Sequence, residues 1–348
     1  MTPRPGGRRR RGPLAAAALP LLLLAPFLAA CGGTSGPSIT LYNGQHEQTT
    51  DALVSAFEKA TGINVEVQNG DEDLLADEIV SEGSHSPADV IFTENSQALE
   101  LLQEKGLLAH VEESTLADTP SRYNSAAGDW VGVSARVSVI IYNPGLIAKS
   151  QLPTGVLQLA NPKYKDKLAF APAETDFQPI VTAVERAYGL TATLRWLEGI
   201  KANVPLSHQY PDNETIADEV NRGEVAFGVV NQYYWYRMRA EIGPANMHSA
   251  ISYFAPHDPG YVVDISGAAV LASSKHQADA QRFVAFLTSR TGQEIISHSI
   301  SFEYTIASGV STVQPETPFD ELQPYPITVS ELGDGSEAIS LLQRVGLL

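Results

Sequence analysis

Cysteine is almost absent: Cys31 is the single one in 348 residues. One thiol cannot close a disulfide within the chain, and its lone position excludes a thiol-based metal site or nucleophile. Basic residues are scarce too, 23 Lys and Arg against 40 Asp and Glu, giving a formal charge of −17. Nucleic acid is a poor partner for that charge. Its first use is solubility outside the cell, and any attraction of cations is secondary and screened by salt. Enzyme signatures are missing as well. No Gly-x-Ser-x-Gly elbow of a serine hydrolase occurs. His85, His110, His208, His248, His257, His276 and His298 all lie in polar or terminal contexts, where a solvated imidazole is the ordinary state. No internal repeat, heptad array or long low-complexity tract occurs beyond the N-terminal leader.

That leader holds the one long apolar run. Arg4 and Arg8 to Arg11 precede apolar residues 14–30, a run broken by Pro20 and Pro26. This is the layout of an export signal, and too short and interrupted for a membrane span. The stretch LAACG at 28–32 resembles a bacterial lipobox, in which the signal is cut before the cysteine and the cysteine receives lipid. The expectation is a signal peptide over 1–30, lipid on Cys31 and a flexible tether over 31–37 that holds the body at the outer face of the membrane. The arginines leave the general secretory and twin-arginine routes both open. Removing residues 1–30 takes away five arginines and no acids, so 318 residues remain with a formal charge of −22. That length suffices for two lobes with separate cores.

Strand-then-helix units recur along the body, the mark of α/β architecture. Residues 38–43 read as a strand and 44–47 as its turn, and a helix from about residue 48 stops at Gly62. Residues 63–67 and 88–92 are further strands, the second leading through Thr93, Glu94 and Asn95 into a helix stopped by Gly106. Residues 134–142 and 261–271 are extended apolar runs flanked by different regions, and so are candidates for hinge strands crossing between lobes.

The sharpest signal is the run NQYYWY at 231–236. Residues 225–230 read as a buried strand, with Asn231 as N-cap of a helix that Gly243 and Pro244 stop. Tyr233 and Tyr234 then fall in the first helical turn, where neighbouring side chains diverge by only about 100° and can lean over one spot. The partial positive charge of a helix N-terminus favours phenolate there. Paired phenolates suit a hard trivalent cation such as Fe(III), whereas core packing is the ordinary use of such aromatics. His46 and Glu94 share the same address, beyond the carboxyl ends of strands where open α/β sheets bind ligands. Two phenolates and one carboxylate carry three negative charges, with neutral imidazole completing the set. Zn(II) would leave a surplus negative charge, and Ca(II) avoids imidazole.

Four segments together, LYNGQH at 41–46, SPADV at 86–90 leading to Thr93 and Glu94, NQYYWY at 231–236 and SGAAVL at 266–271, resemble the ferric-ion-binding proteins of bacterial iron-uptake ABC transporters. The resemblance implies a two-lobed, type II periplasmic-binding-protein fold, each lobe a sheet flanked by helices. The first lobe would comprise 38–138 and 264–314, the second 139–263 and 315–348. It implies a metal site of His46 and Glu94 from the first lobe with Tyr233 and Tyr234 from the second. It further implies no catalysis, a monomer, and an ABC permease as the receiving partner.

The chain departs from the family at the anion site. Many members hold phosphate or carbonate on a small-residue turn at a helix N-terminus. The corresponding turn here, after a strand expected over 168–171, contains Glu174, Thr175 and Asp176. Two carboxylates would repel phosphate. Either one of them ligates the metal in the anion's place, or both cap the next helix. Asn213, Asn231 and Arg136 also match positions near the family's anion, so carbonate stays open as a synergistic partner. Two other functions compete. A binding protein for a cationic organic ligand such as thiamine or a polyamine would use the tyrosines as an aromatic cage, but leaves His46 without a task. A non-haem iron oxygenase would want two histidines and a carboxylate, and no convincing second histidine is present.

Overall fold

β4 (Val131–Tyr142), with all twelve residues buried, is the strand on which the molecule is organised. In this computed structural model, residues 36–313 and 317–348 are described. The expected signal peptide and Cys31 lie outside them, as does most of the expected tether. Four strands stand at one end of the sheet: β1 (Ser38–Asn43), β2 (Asn64–Asn69), β3 (Val90–Thr93) and β8 (Val263–Val270). On the other side lie β5 (Leu168–Ala169), β6 (Phe227–Asn231) and the short β7 (Ala250–Ser252), while β9 (Tyr304–Thr305) adds to β4. The order is β2-β1-β3-β8-β4-β6-β5, with β1 parallel to β2 and β3, and β8 antiparallel to both β3 and β4. Residues 131–137 of β4 face β8, with a bulge between Gly132 and Ser134, and residues 138–142 face β6. One strand therefore serves two groups of partners, and Gly36–Leu348 forms one compact unit around it.

Alternation along β1 and β3, and the bulge in β4 that changes which face its odd residues present, divide the core. Ile39, Leu41, Val90, Phe92, Val131 and Val133 point to one cluster, packed by Leu53, Phe57, Phe283 and Val284 of α1 (Glu47–Thr61) and α9 (Gln277–Thr288). Tyr42, Ile91, Ala135, Val137 and Val139 point to a second cluster. The helices on that side include α2 (Glu72–Glu82), α3 (Ser96–Glu104), α5 (Gln178–Tyr188), α6 (Leu190–Asn203) and α7 (Asn213–Arg222). α8 (Gln232–Ile242) follows β6 directly, and α12 (Ser336–Val345) packs on α5 and α6. The remaining helices, α4 (Glu113–Leu116), α10 (Arg290–Ser297) and α11 (Val329–Leu332), are short. Among the described residues, no helix is long and apolar enough to cross a membrane.

The punctuation read from the sequence is in place: α1 ends on Gly62 at φ 71° and α8 on Gly243 at φ 83°. Two expectations are corrected. The strand expected over 168–171 is only β5, because Phe170 leaves the ladder to bridge Gln209. Asn231 does occupy the N-cap position of α8, but its side chain makes no capping hydrogen bond.

Candidate metal centre

Three strand ends deliver the site. After β1 the chain turns at Gly44, whose missing side chain is required: a Cβ there would stand 2.7 Å from Cβ of Glu72. Asn43 ties this turn, donating to the Gln45 carbonyl and to Asn69 Oδ1, both at 2.8 Å. His46 then takes the N-cap position of α1, its carbonyl accepting from the amides of Thr49 and Thr50. After β3, Glu94 precedes Asn95, which α2 holds in place: Glu72 accepts from the backbone and side-chain nitrogens of Asn95, each at 2.8 Å. After β6, α8 begins, and its second and third residues are Tyr233 and Tyr234.

These four side chains meet. His46 Nδ1 lies 2.8 Å from Glu94 Oε1. The imidazole meets the Tyr233 ring edge-on at 5.1 Å between centroids, and Tyr233 stacks on Tyr234 at 4.1 Å. His46 Nε2 and Tyr233 Oη are buried without a hydrogen-bond partner. Buried polar atoms in native proteins are nearly always paired, and an unpaired one costs roughly 1–3 kcal/mol. Orphaned atoms on two neighbouring side chains of metal-ligating type are what a site awaiting a ligand would show. Among the described residues, no group of three or more His, Cys, Asp or Glu is placed to hold a metal, so a metal at this spot takes phenol oxygens as well.

Electrostatics here differ from the simple expectation in one respect. The helix N-terminus was expected to favour phenolate, yet both tyrosines have pKa values raised well above the usual phenol value. Burial is the largest cause; next come Tyr234 for Tyr233 and Asp176 for Tyr234, with Glu94 raising both. Loss of water and nearby carboxylates outweigh the helix dipole. Without a cation the phenols are neutral. Glu94 goes the other way: burial alone would push it up, but His46 and Arg136 hold it down at about 2. The His46 pKa is correspondingly raised, Glu94 overcoming the opposing effect of burial.

Arg136, fully buried on β4, is the hub beneath the site. Its Nη1 lies 3.0 Å from Glu303 and 3.3 Å from Glu94, and its Nε 3.4 Å from Asp176. Asp176 also accepts from Asn213 at 2.9 Å, so both its oxygens are engaged within the chain. Thr175 Oγ1 accepts from Asn95 at 2.9 Å. Neither Glu174 nor Asp176 caps α5, the next helix, so the helix-capping alternative does not describe this turn; Glu174 meets the Asn213 backbone at the start of α7. Glu174 instead lines, with Asp71, Glu72, Asp73 and Glu94, a cleft of about 500 Å³ whose walls carry no basic residue. A separate cavity between Asp176, Asn213 and Asn231 measures about 10 Å³, room for about one water. Sequence reasoning missed Glu303, Glu72 and Asp264, which stand outside the quoted segments and are brought in by distant strands or turns, and it passed over Gln45 although that residue lies within LYNGQH beside His46.

Comparison with known proteins bears on this geometry. Residues 40–299 match the family described as bacterial extracellular solute-binding protein. An Fe(3+)-binding periplasmic protein of Serratia marcescens is 38% identical over 333 residues, covering 94% of this chain and 97% of the relative. The chain belongs to the ferric-ion-binding branch of that family. The major ferric iron-binding protein of Neisseria meningitidis is 34% identical over 89% of this chain and 93% of its own length. Iron-bound HitA from Pseudomonas aeruginosa superimposes with a TM-score of 0.85 at 40% identity, covering 89% of this chain and 100% of that one. The fold is therefore the α/β, type II periplasmic-binding-protein fold, and members of this branch are binding proteins for transport, not enzymes.

Proposed function

We propose that this chain captures Fe(III) outside the cytoplasmic membrane and passes it to an ABC permease. The convergence of the His46 and Glu94 pair with stacked Tyr233 and Tyr234, two of whose donor atoms lack partners, carries the proposal. Two phenolates and the Glu94 carboxylate neutralise a trivalent ion, and imidazole completes the protein ligands. The iron-binding relatives support the same choice. A cationic organic ligand would gain an aromatic wall from the tyrosines, but would leave the buried His46 nitrogen unsatisfied. The expected lobes, 38–138 with 264–314 against 139–263 with 315–348, would close over the ion about residues 134–142 and 261–271. Lipid on Cys31 would keep the protein beside its permease; fatty-acid labelling that persists in Cys31→Ala would refute that part.

The fifth donor is proposed to be Glu174 rather than borrowed carbonate; like that anion it would add negative charge beyond the three that neutralise the ion, which Arg136 beneath the site partly offsets. Asp176 is occupied by Arg136 and Asn213, the cavity at Asn213 and Asn231 holds about one water, and Glu174 shares its cleft with Glu94. One titration tests the whole reading. Ferric ion added to protein in buffer free of carbonate and phosphate should produce a visible phenolate-to-iron band. Tyr233→Phe and Tyr234→Phe should each lose most of it while remaining folded, since only the ligand oxygen is removed. Colourless wild-type protein that binds thiamine or spermidine would establish the organic-ligand function instead. A band that forms only after bicarbonate is added would return the anion to the site and exclude Glu174.

A further inference from the structure

Glu303 is only 1% exposed, far from any motif, and yet reaches Ser134, Gln45 and Arg136. It accepts from Ser134 Oγ at 2.7 Å, from Gln45 Nε2 at 3.1 Å and from Arg136 Nη1 at 3.0 Å. Gln45 in turn accepts from the His46 amide at 2.7 Å and donates to Ser266 Oγ at 2.7 Å, which fixes the backbone from which the imidazole projects. The same Arg136 nitrogen that meets Glu303 also faces Glu94 at 3.3 Å. The residue before it, Phe302, has φ 55°, a conformation that an aromatic residue rarely adopts. Gln232, the neighbour of Tyr233, donates to the Phe302 carbonyl at 3.1 Å, and the Phe302 ring stacks against Tyr236 at 6.0 Å. Strained backbone of this kind persists where surrounding contacts over-determine it, and here α8 does so.

Charge decides what this arrangement is for. Tyr233, Tyr234 and Glu94 can neutralise a trivalent ion only if Glu94 is not already spent on Arg136. A guanidinium is always charged, and a buried one must be paired. Glu303 shares that pairing with Asp176, meeting Nη1 while Asp176 faces Nε. We propose that Glu303 is a positioning residue of the ferric site: it takes up the charge of Arg136 so that Glu94 is free to bind metal, and steadies His46 through Gln45. This rests on the metal-binding reading of His46, Glu94, Tyr233 and Tyr234. With Glu303 neutralised, only Asp176 is left to share Arg136 with Glu94, so Arg136 draws harder on Glu94 and leaves more positive charge beside the trivalent ion. Both effects weaken capture.

The test is ferric ion titrated from citrate into wild type, Glu303→Gln, Arg136→Gln and the double variant, following the visible band. Glu303→Gln keeps shape and acceptor while removing charge. It should weaken ferric binding by about 10–100-fold, the usual cost of losing a residue that orients a metal ligand. The band should also move to longer wavelength, because iron that loses a carboxylate is the stronger electron acceptor; a merely structural defect would lower the loaded fraction without moving it. In the Arg136→Gln background the same substitution should change affinity by less than about threefold, since no charge remains to compensate. That comparison decides the matter even if Glu303→Gln alone does not fold. Wild-type affinity in Glu303→Gln, or a tenfold loss that persists without Arg136, would overturn the inference alone. A wild-type protein with no band would overturn the metal-binding reading and this inference with it.

Discussion

Asp264 shows how far single residues in this fold are from their solution behaviour. It lies opposite Arg136 on the neighbouring strand, 1% exposed, with both carboxylate oxygens lacking a hydrogen bond. Burial first, and Asp176 second, push its pKa up to about 8. The folded state therefore holds a proton that the unfolded chain gives up near the ordinary value of 3.8. Stability from this group is complete below that value and is lost as pH rises towards about 8. Burial also raises Glu72 and Glu174 to about 8, and they act in the same sense. Asp264→Asn is thus expected to stabilise the iron-free protein at pH 8 by on the order of 1 kcal/mol or more, and to leave it unchanged near pH 4. Urea unfolding at the two pH values measures the difference; an equal effect at both would show that packing, not ionisation, is what the substitution alters.

At the scale of elements, the junction of β4 and β8 carries the most. Gly132 sits at the bulge between them, and a Cβ there would fall 2.4 Å from the Tyr123 carbonyl and 3.0 Å from Ile265. Gly132→Ala forces backbone apart rather than a flexible side chain, and should cost about 1–3 kcal/mol, seen as a lower urea midpoint at unchanged slope. An unchanged midpoint would mean that the junction gives way freely. The elements themselves were largely legible. β1 matches the residues read as the first strand, glycines mark where α1 and α8 stop, and the first-turn position of Tyr233 and Tyr234 follows from Asn231 as N-cap. What sequence could not give is chemistry made by crossing strands. Glu303 reaches Arg136 across 167 residues and Gln45 across 258, and no local pattern predicts such pairs. The dipole argument for phenolate failed for a related reason: burial first, and then the neighbouring tyrosine and carboxylates brought from other loops, outweigh it.

The whole molecule is a strongly acidic body, −17 over the chain, in which the proposed cargo site keeps its phenols neutral until a cation arrives. Binding must then expel the phenol protons and, at low pH, a proton from His46. Ferric affinity should consequently rise with pH, and acid should favour release. In the proposed function, iron is held at one point by residues from three strand ends. Diffraction from iron-loaded crystals, collected on both sides of the iron absorption edge, tests it most directly. One anomalous peak is expected, within bonding distance of Tyr233 Oη, Tyr234 Oη, His46 Nε2 and a Glu94 oxygen. A peak in the outer acidic cleft beside Asp71 and Asp73, with the tyrosines unligated, would contradict it.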